Sequence, residues 1–342
     1  MQNLHHIFDN LRKQYQQDYG FAVFDVDYKD TKNGFVISGE VLTESQKNAI
    51  FELARKEKVK ITNEKIKVLS DARKRFEVGW AVVKVKMADL KLRFVSNEIL
   101  NEKILKRIRC SQAFQGEILR VLRKNEDQLL VQQNDLTLGW VNRNEVILKK
   151  NSLLKEWGRG KYAAKGKAIK ITNKEIAQKF HSPNGTMEPS KKNRQQISQL
   201  QLEIIKEAEK YLGTKYLLGG KSKKGIDCSA LTQVVYKNSL DVILPKHSWD
   251  QKETGVQVRL EDTETGDLVF LIKKSNQHRH VGIAQRFHSP ACRTGWPNGT
   301  MEPTKYNTNL IHASLDQRKV VKQNLEKVFE NYEFVEARRI VE

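Results

Sequence analysis

Gly219-Gly220-Lys221-Ser222-Lys223-Lys224-Gly225-Ile226-Asp227-Cys228-Ser229-Ala230-Leu231 is the stretch that decides the fold. A glycine-rich loop runs into a cysteine, and Leu231, Val234, Val235 and Leu240 then recur at helical spacing. This predicts a helix with Cys228 in its first turn. Unpaired N–H groups and the positive end of the helix dipole gather there and favour an anion. The thiolate is the reactive form of cysteine, so the position suits a nucleophile. Taken alone, a free cysteine is more often a small buried apolar residue, so the surroundings of Cys228 have to decide.

A nucleophilic thiol needs a base. Gly266-Asp267-Leu268-Val269-Phe270-Leu271-Ile272 reads as a turn and a buried strand. His280-Val281-Gly282-Ile283-Ala284 is a second strand opened by a histidine, and Leu310-Ile311-His312-Ala313-Ser314 is a third with its own histidine. Antiparallel pairing would bring both imidazoles to one end of a small sheet, facing the helix of Cys228. His280 would then take the thiol proton, and His312 would fix its tautomer and orientation. His278 is read as a decoy or a substrate contact and His247 as a cleft-rim residue, and Cys110 and Cys292 have no catalytic context.

These residues carry a resemblance. Tyr211-Leu212-Gly213-Thr214-Lys215-Tyr216-Leu217-Leu218-Gly219-Gly220, then Asp227-Cys228-Ser229, Leu244-Pro245, Gly266-Asp267-Leu268-Val269-Phe270, His280-Val281-Gly282-Ile283 and Ile311-His312-Ala313 follow in the order of the NlpC/P60 family. Residues 197–342 thus resemble papain-like cysteine peptidases that cut bacterial cell-wall peptides. The resemblance implies Cys228 as nucleophile, His280 as base, His312 as orienting residue and Tyr216 beside the oxyanion. It also implies Asp227 and Ser229 beside the substrate, and no cofactor or metal. The chain departs from the family pattern in two places. Ala230 stands where glycine is usual, and residues 287–307, rich in proline and glycine, lengthen the gap between His280 and His312 as a loop would.

Upstream, Val85 to Leu90, Ser111 to Leu122, Leu129 to Gln132 and Leu138 to Val141 read as short strands split by turns, a pattern that predicts a small all-β barrel at residues 78–149. It resembles a bacterial SH3 domain. Joined to the peptidase, it resembles the dipeptidyl-peptidase VI subfamily, which cleaves γ-D-glutamyl-L-diamino acid bonds of peptidoglycan. That likeness implies a substrate-amine contact from Glu117. A tyrosine expected to join it is replaced by Thr137. Residues 1–75 read as a small α/β unit, with a strand at Phe35 to Val41, a helix capped by Thr43 and Gln46, and a returning strand from Val59 to Val68. The order faintly resembles BON-type domains. Residues 150–196 read as a connector, and Gln196 to Leu212 as an amphipathic helix. The fold class expected is therefore α+β: a papain-like catalytic domain behind an SH3-like β-barrel and an N-terminal α/β unit.

Composition bounds the partners. The 342 residues carry 61 Lys+Arg against 41 Asp+Glu, a formal net charge of +20. Such a field draws a protein to polyanions, with acidic wall polymers, nucleic acid and anionic membrane as candidates, and a solvated lysine-rich surface as the plain alternative. Nucleic acid is not the expected partner, because no recognition module or aromatic-studded basic face is visible. Three cysteines without regular spacing argue against a disulfide framework and against a zinc site. No apolar run reaches the length of a membrane span. The first residues lack a basic segment followed by an apolar core, so the chain as given is expected in the cytoplasm, or in the periplasm or outside the cell where a leader has been removed. The expected function is a cysteine peptidase acting on peptidoglycan stem peptides. The alternatives are an inactive wall- or partner-binding protein, and an amidase or acyltransferase with the same triad. One feature stays without a role: Phe180-His181-Ser182-Pro183-Asn184-Gly185-Thr186-Met187-Glu188-Pro189 recurs in two pieces between Phe287 and Thr304.

Overall fold

The computed structural model describes residues 23–95, 100–171, 189–287 and 306–342, together with positions 6, 8, 10, 11 and 13. The repeated segments, Cys292 and most of the long excursion after Phe287 lie outside the described residues. The chain forms two compact units, Met1–Arg159 and Gly160–Glu342.

In the first unit, β1 (Phe24–Thr31), β2 (Gly34–Val41), α1 (Glu44–Lys56) and β3 (Ile61–Val68) follow one another, and the strands form a sheet in the order β1-β2-β3. Helix α1 starts where its sequence says it should. Thr43 accepts from the Gln46 N–H while the Gln46 side chain turns back to the cap, a reciprocal pair that satisfies free donors at both ends of the turn. Ile50 and Ala54 bury its inner face.

A second sheet combines β4 (Gly79–Val83), β5 (Met87–Lys91), β6 (Arg109–Phe114), β7 (Ile118–Lys124), β8 (Gln128–Gln132), β9 (Leu138–Asn142) and β10 (Val146–Lys149), with α2 (Glu102–Ile108) leading into β6 and α3 (Leu154–Trp157) following β10. Its order is β10-β4-β7-β8-β9-β5-β6. The end strands β10 and β6 do not pair among the described residues, so the sheet stays open where a closed barrel was expected. A barrel needs its last strand bonded to its first. Here β5 meets β9 through one pair, Lys91 with Trp140. The two sheets share a core of Val23, Leu42 and Leu69 with Leu122, Leu130 and Trp140.

The second unit opens with β11 (Lys161–Tyr162). It continues through α4 (Pro189–Glu209), the small hairpin β12 (Lys221–Ser222) and β13 (Gly225–Ile226), α5 (Cys228–Leu240), β14 (Val242–Ile243) and α6 (Ser248–Lys252). An antiparallel sheet follows from β15 (Val256–Val258), β16 (Leu268–Lys273), β17 (Arg279–Arg286), β18 (Thr308–Ser314) and β19 (Lys319–Asn324). It is completed after α7 (Leu325–Asn331) by β20 (Tyr332–Arg339), in the order β15-β20-β16-β17-β18-β19. Strand alternation gives the sheet two apolar faces. Leu268, Phe270, Val281, Ile283 and Ile311 meet Leu200 and Ile204 of α4 and Leu231 and Val235 of α5. Val269, Leu271, Ala284 and Leu310 meet Leu325 and Val328 of α7 and Tyr332. The architecture is mixed α+β, as expected.

Candidate active site

Asp227 makes the start of α5. Its backbone is extended (φ −95°, ψ 174°), and its Oδ1 accepts the Ala230 N–H at 2.8 Å, the geometry of an aspartate N-cap. Oδ1 also accepts from the Ser229 hydroxyl at 3.1 Å, and Oδ2 accepts the Gly219 N–H at 2.8 Å. One carboxylate therefore fixes both the helix and the glycine loop before it. The loop is tight at Gly220, where a Cβ would meet the Gly225 carbonyl oxygen at 2.5 Å. Cys228 follows as the first helical residue, 7% exposed.

The histidines come together through strand register. Ile283 stands opposite Ile311, and one step further along the same register Gly282 stands opposite His312. His280 lies two residues before Gly282, hence on the same face and diagonal to His312. Glycine leaves the space through which the rings meet. A Cβ at 282 would lie 2.6 Å from Leu310 Cγ and 2.9 Å from His312 Cβ. The result is a 2.8 Å hydrogen bond between His280 Nε2 and His312 Nδ1, with ring centroids 5.0 Å apart at 76°. Both rings are 1% exposed. Residues 287–307 lengthen the chain between the strands without preventing the pairing of Arg286 with Thr308.

Cys228 meets β17 at the backbone of the residue that follows His280. The backbone N–H groups of Val281, next to His280, and of Ser229 both donate to the thiol sulfur. A charge on Cys228 bears on Tyr216 and on Tyr332, and the Tyr332 ring lies 5.2 Å from His280. Tyr216 is half-buried, and its N–H donates to the Arg318 carbonyl at 2.8 Å. Burial, and after it the Cys228 and Asp227 charges, hold its hydroxyl protonated well above the usual range. Cys228, His280, His312, Tyr216, Asp227 and Ser229 all belong to the second unit. Glu117 belongs to the first, where Oε2 accepts the Phe114 N–H at 3.0 Å and Oε1 accepts from Gln133 Nε2 at 2.6 Å.

The charge state differs from the expected thiolate. Burial, and then the Asp227 charge, push the Cys228 thiol up to about 12, against the Val281 and Ser229 N–H groups and the Lys246 cation, which favour the anion. Burial also holds His280 well below 6.5, with the charges of His312, His278 and Lys273 adding to it. Burial lowers His312 to about 4, opposed by Gln323 and Asp316. The resting site is a thiol beside two neutral imidazoles. The helix terminus does favour an anion there, but burial and the capping carboxylate outweigh it.

Two groups escaped the sequence reading. Lys246 is 9% exposed, and its Nζ lies 3.7 Å from Asp227 Oδ2. The two form a long, largely buried ion pair, and the ammonium charge favours the Cys228 anion. The lysine's place after Leu244-Pro245 was the only available signal. Tyr332 is 3% exposed and gave no signal, because its contact with His280 reaches across the intervening strand β16. Among the described residues no cluster of His, Cys, Asp and Glu is arranged to hold a metal ion, and no helix is long and apolar enough to cross a membrane.

Known proteins share this stretch. Residues 213–339 match the NlpC/P60 family. Over 131 residues the chain is 32% identical to a probable endopeptidase NlpC of Escherichia coli, covering 37% of this chain and 70% of that protein. Over 80 residues it is 39% identical to the murein DD-endopeptidase MepS/murein LD-carboxypeptidase of the same organism, covering 23% of this chain and 42% of that protein. Over 94 residues it is 33% identical to the γ-D-glutamyl-L-lysine dipeptidyl-peptidase of Bacillus cereus, covering 26% of this chain and 28% of that protein. The match to MepS therefore spans less than half of that relative's length. Residues 213–339, which match the family, build the capped cysteine helix and the paired histidine strands, and the chain belongs to the NlpC/P60 family.

Proposed function

We propose that this chain is a cysteine peptidase that hydrolyses γ-D-glutamyl-diamino acid bonds in peptidoglycan stem peptides. The observation that carries this reading is the 2.8 Å His280–His312 bond beside a thiol at the start of a helix.

His280 Nε2 shares its proton with His312 Nδ1, which leaves Nδ1 of His280 to accept the proton of Cys228. Sγ attacks the scissile carbonyl as that proton leaves, so the high resting value of the thiol is met by transfer within the step. Charge then develops on the carbonyl oxygen. The Cys228 N–H and the Tyr216 hydroxyl are its donors, and burial keeps that hydroxyl protonated. His280 passes its proton to the leaving amine as the C–N bond breaks. Water, deprotonated by His280, attacks the thioester and returns the thiol.

Two observations support the glutamyl substrate. A γ-linked glutamyl residue keeps a free α-carboxylate near the scissile carbonyl, and Lys246 offers a cation beside Cys228. A relative that covers part of this chain is named for γ-D-glutamyl-L-lysine cleavage. We also read the open sheet of the first unit as SH3-like, and the excess positive charge as attraction to anionic wall polymers. The test is digestion of purified peptidoglycan by the wild type and by Cys228→Ala. Release of muropeptides by the wild type alone supports the reading. Equal release by both sinks it, and release through the muramyl–alanine bond reassigns the chain as an amidase.

A further inference from the structure

The Tyr332 ring faces His280 at 5.2 Å and a 34° tilt, while His312 meets the same imidazole edge-on. Tyr332 opens β20 at the C-terminal end of α7, so the packing of α7 sets its position. Its hydroxyl is not free to bond the imidazole, because it donates to Asp316 Oδ2 at 3.1 Å. Asp316, in the turn between β18 and β19, also pairs with Lys273 of β16, whose Nζ lies 6.0 Å from the Tyr332 ring centroid. Four elements thus converge on one aromatic ring that touches the proposed base.

We propose that Tyr332, tethered through its hydroxyl to Asp316, is a positioning residue that holds the His280 imidazole in line between His312 and Cys228. The inference rests on the peptidase reading for its effect on rate, but not for its effect on the imidazole. The charged and titratable groups around His280 are His312 on β18, His278 before β17, Lys273 on β16, Tyr332 on β20, Asp316 in the β18–β19 turn, and Cys228 on α5 with Asp227 and Lys246 beside it. Removing the ring opens His280 to water and lets it titrate closer to its ordinary range. Removing only the hydroxyl frees the tether and keeps the ring in place.

The experiment compares Tyr332→Leu, Tyr332→Phe and Asp316→Asn with the wild type, by stem-peptide kinetics and by NMR titration of the His280 imidazole. Tyr332→Leu is expected to lose about 100-fold in kcat with KM little changed, since misplacing a reacting group by an ångström costs that much. Its His280 titration moves up towards 6.5, and the acidic limb of the rate profile moves with it. Tyr332→Phe restores the low titration and most of the rate, losing about threefold in kcat. Asp316→Asn leaves Lys273 unneutralised, so His280 titrates lower still. A folded Tyr332→Leu whose His280 titrates as in the wild type overturns the proposal, whatever its activity. If Tyr332→Leu does not fold, Tyr332→Met takes its place, and a His280 titration unchanged from the wild type in that variant overturns it. A wild type that cleaves no stem peptide refutes the peptidase reading, and the titration still decides the role of Tyr332.

Discussion

Gly282→Ala is the most informative single substitution in this chain. The two histidines meet across a position with no side chain, and the cost of filling it follows from the coordinates. A methyl at 282 would stand 2.6 and 2.8 Å from Leu310 Cγ and Cδ2, and 2.9 Å from His312 Cβ. Leu310 could rotate away at some expense to its packing with Leu271 and Val328. His312 Cβ is fixed to its strand and cannot yield without moving the imidazole. Overpacking of this kind costs about 1–3 kcal/mol, and each kcal/mol lowers Tm by roughly 2–4 °C in a unit of this size. Displacement of His312 breaks the 2.8 Å bond to His280, so kcat should fall about 100-fold. Melting by circular dichroism and kcat on a defined stem peptide measure the two losses. Adding Leu310→Ala removes the Leu310 clash but not the one with His312. The double variant should therefore regain none of the lost rate. Wild-type kcat in Gly282→Ala, or rate recovery in the double variant, would refute the steric argument.

Further outcomes follow from the charge states. His280 titrates well below 6.5 and His312 at about 4, while the unfolded chain titrates both near 6.5. The neutral buried rings contribute stability that is whole above about pH 6.5. It declines as pH falls from there, because the unfolded state then binds protons that the native state does not. For His312 the interval from 6.5 to about 4 corresponds to about 3 kcal/mol. Urea midpoints should drop between pH 7 and pH 4, and a flat profile contradicts the buried neutral pair. A thiol at about 12 should alkylate with iodoacetamide about tenfold faster per pH unit from 7 to 10, and a plateau by pH 8 would reveal a resting thiolate. Asp227→Asn keeps a cap but removes a charge that opposes the thiolate, so alkylation at a given pH should quicken, and an unchanged rate denies Asp227 that influence. Lys246→Met should lower kcat/KM about tenfold for a γ-glutamyl substrate with a free α-carboxylate. The ratio of that value to the one for the carboxamide should collapse, and a ratio equal to the wild type's denies Lys246 a role in reading the carboxylate.

Much of the second unit is legible along the chain because its signals are local. Asp227 caps, Leu231 and Val235 repeat at helical spacing, and the strands of His280 and His312 alternate, so the helix and the paired imidazoles follow from neighbours in sequence. The capping box at Thr43 and Gln46 is legible for the same reason. What stayed hidden depends on long-range pairing. The contact of Tyr332 with His280 follows from β20 adding beside β16. Nothing in Val146 to Lys149 reveals that this strand pairs with Gly79–Val83 rather than closing a barrel. The helix start pointed to a thiolate because its dipole is a local property. Burial beneath the sheet, which reverses the balance, is not.

In the proposed reaction Cys228, through His280 and His312, opens the bond on the γ-carbonyl of D-glutamate. Mass spectrometry of L-Ala-γ-D-Glu-L-Lys-D-Ala after incubation with the protein tests it directly. The wild type is expected to form two fragments, L-Ala-D-Glu and L-Lys-D-Ala, that are absent with Cys228→Ala. An intact peptide, cleavage at another bond, or the same fragments from Cys228→Ala would contradict it.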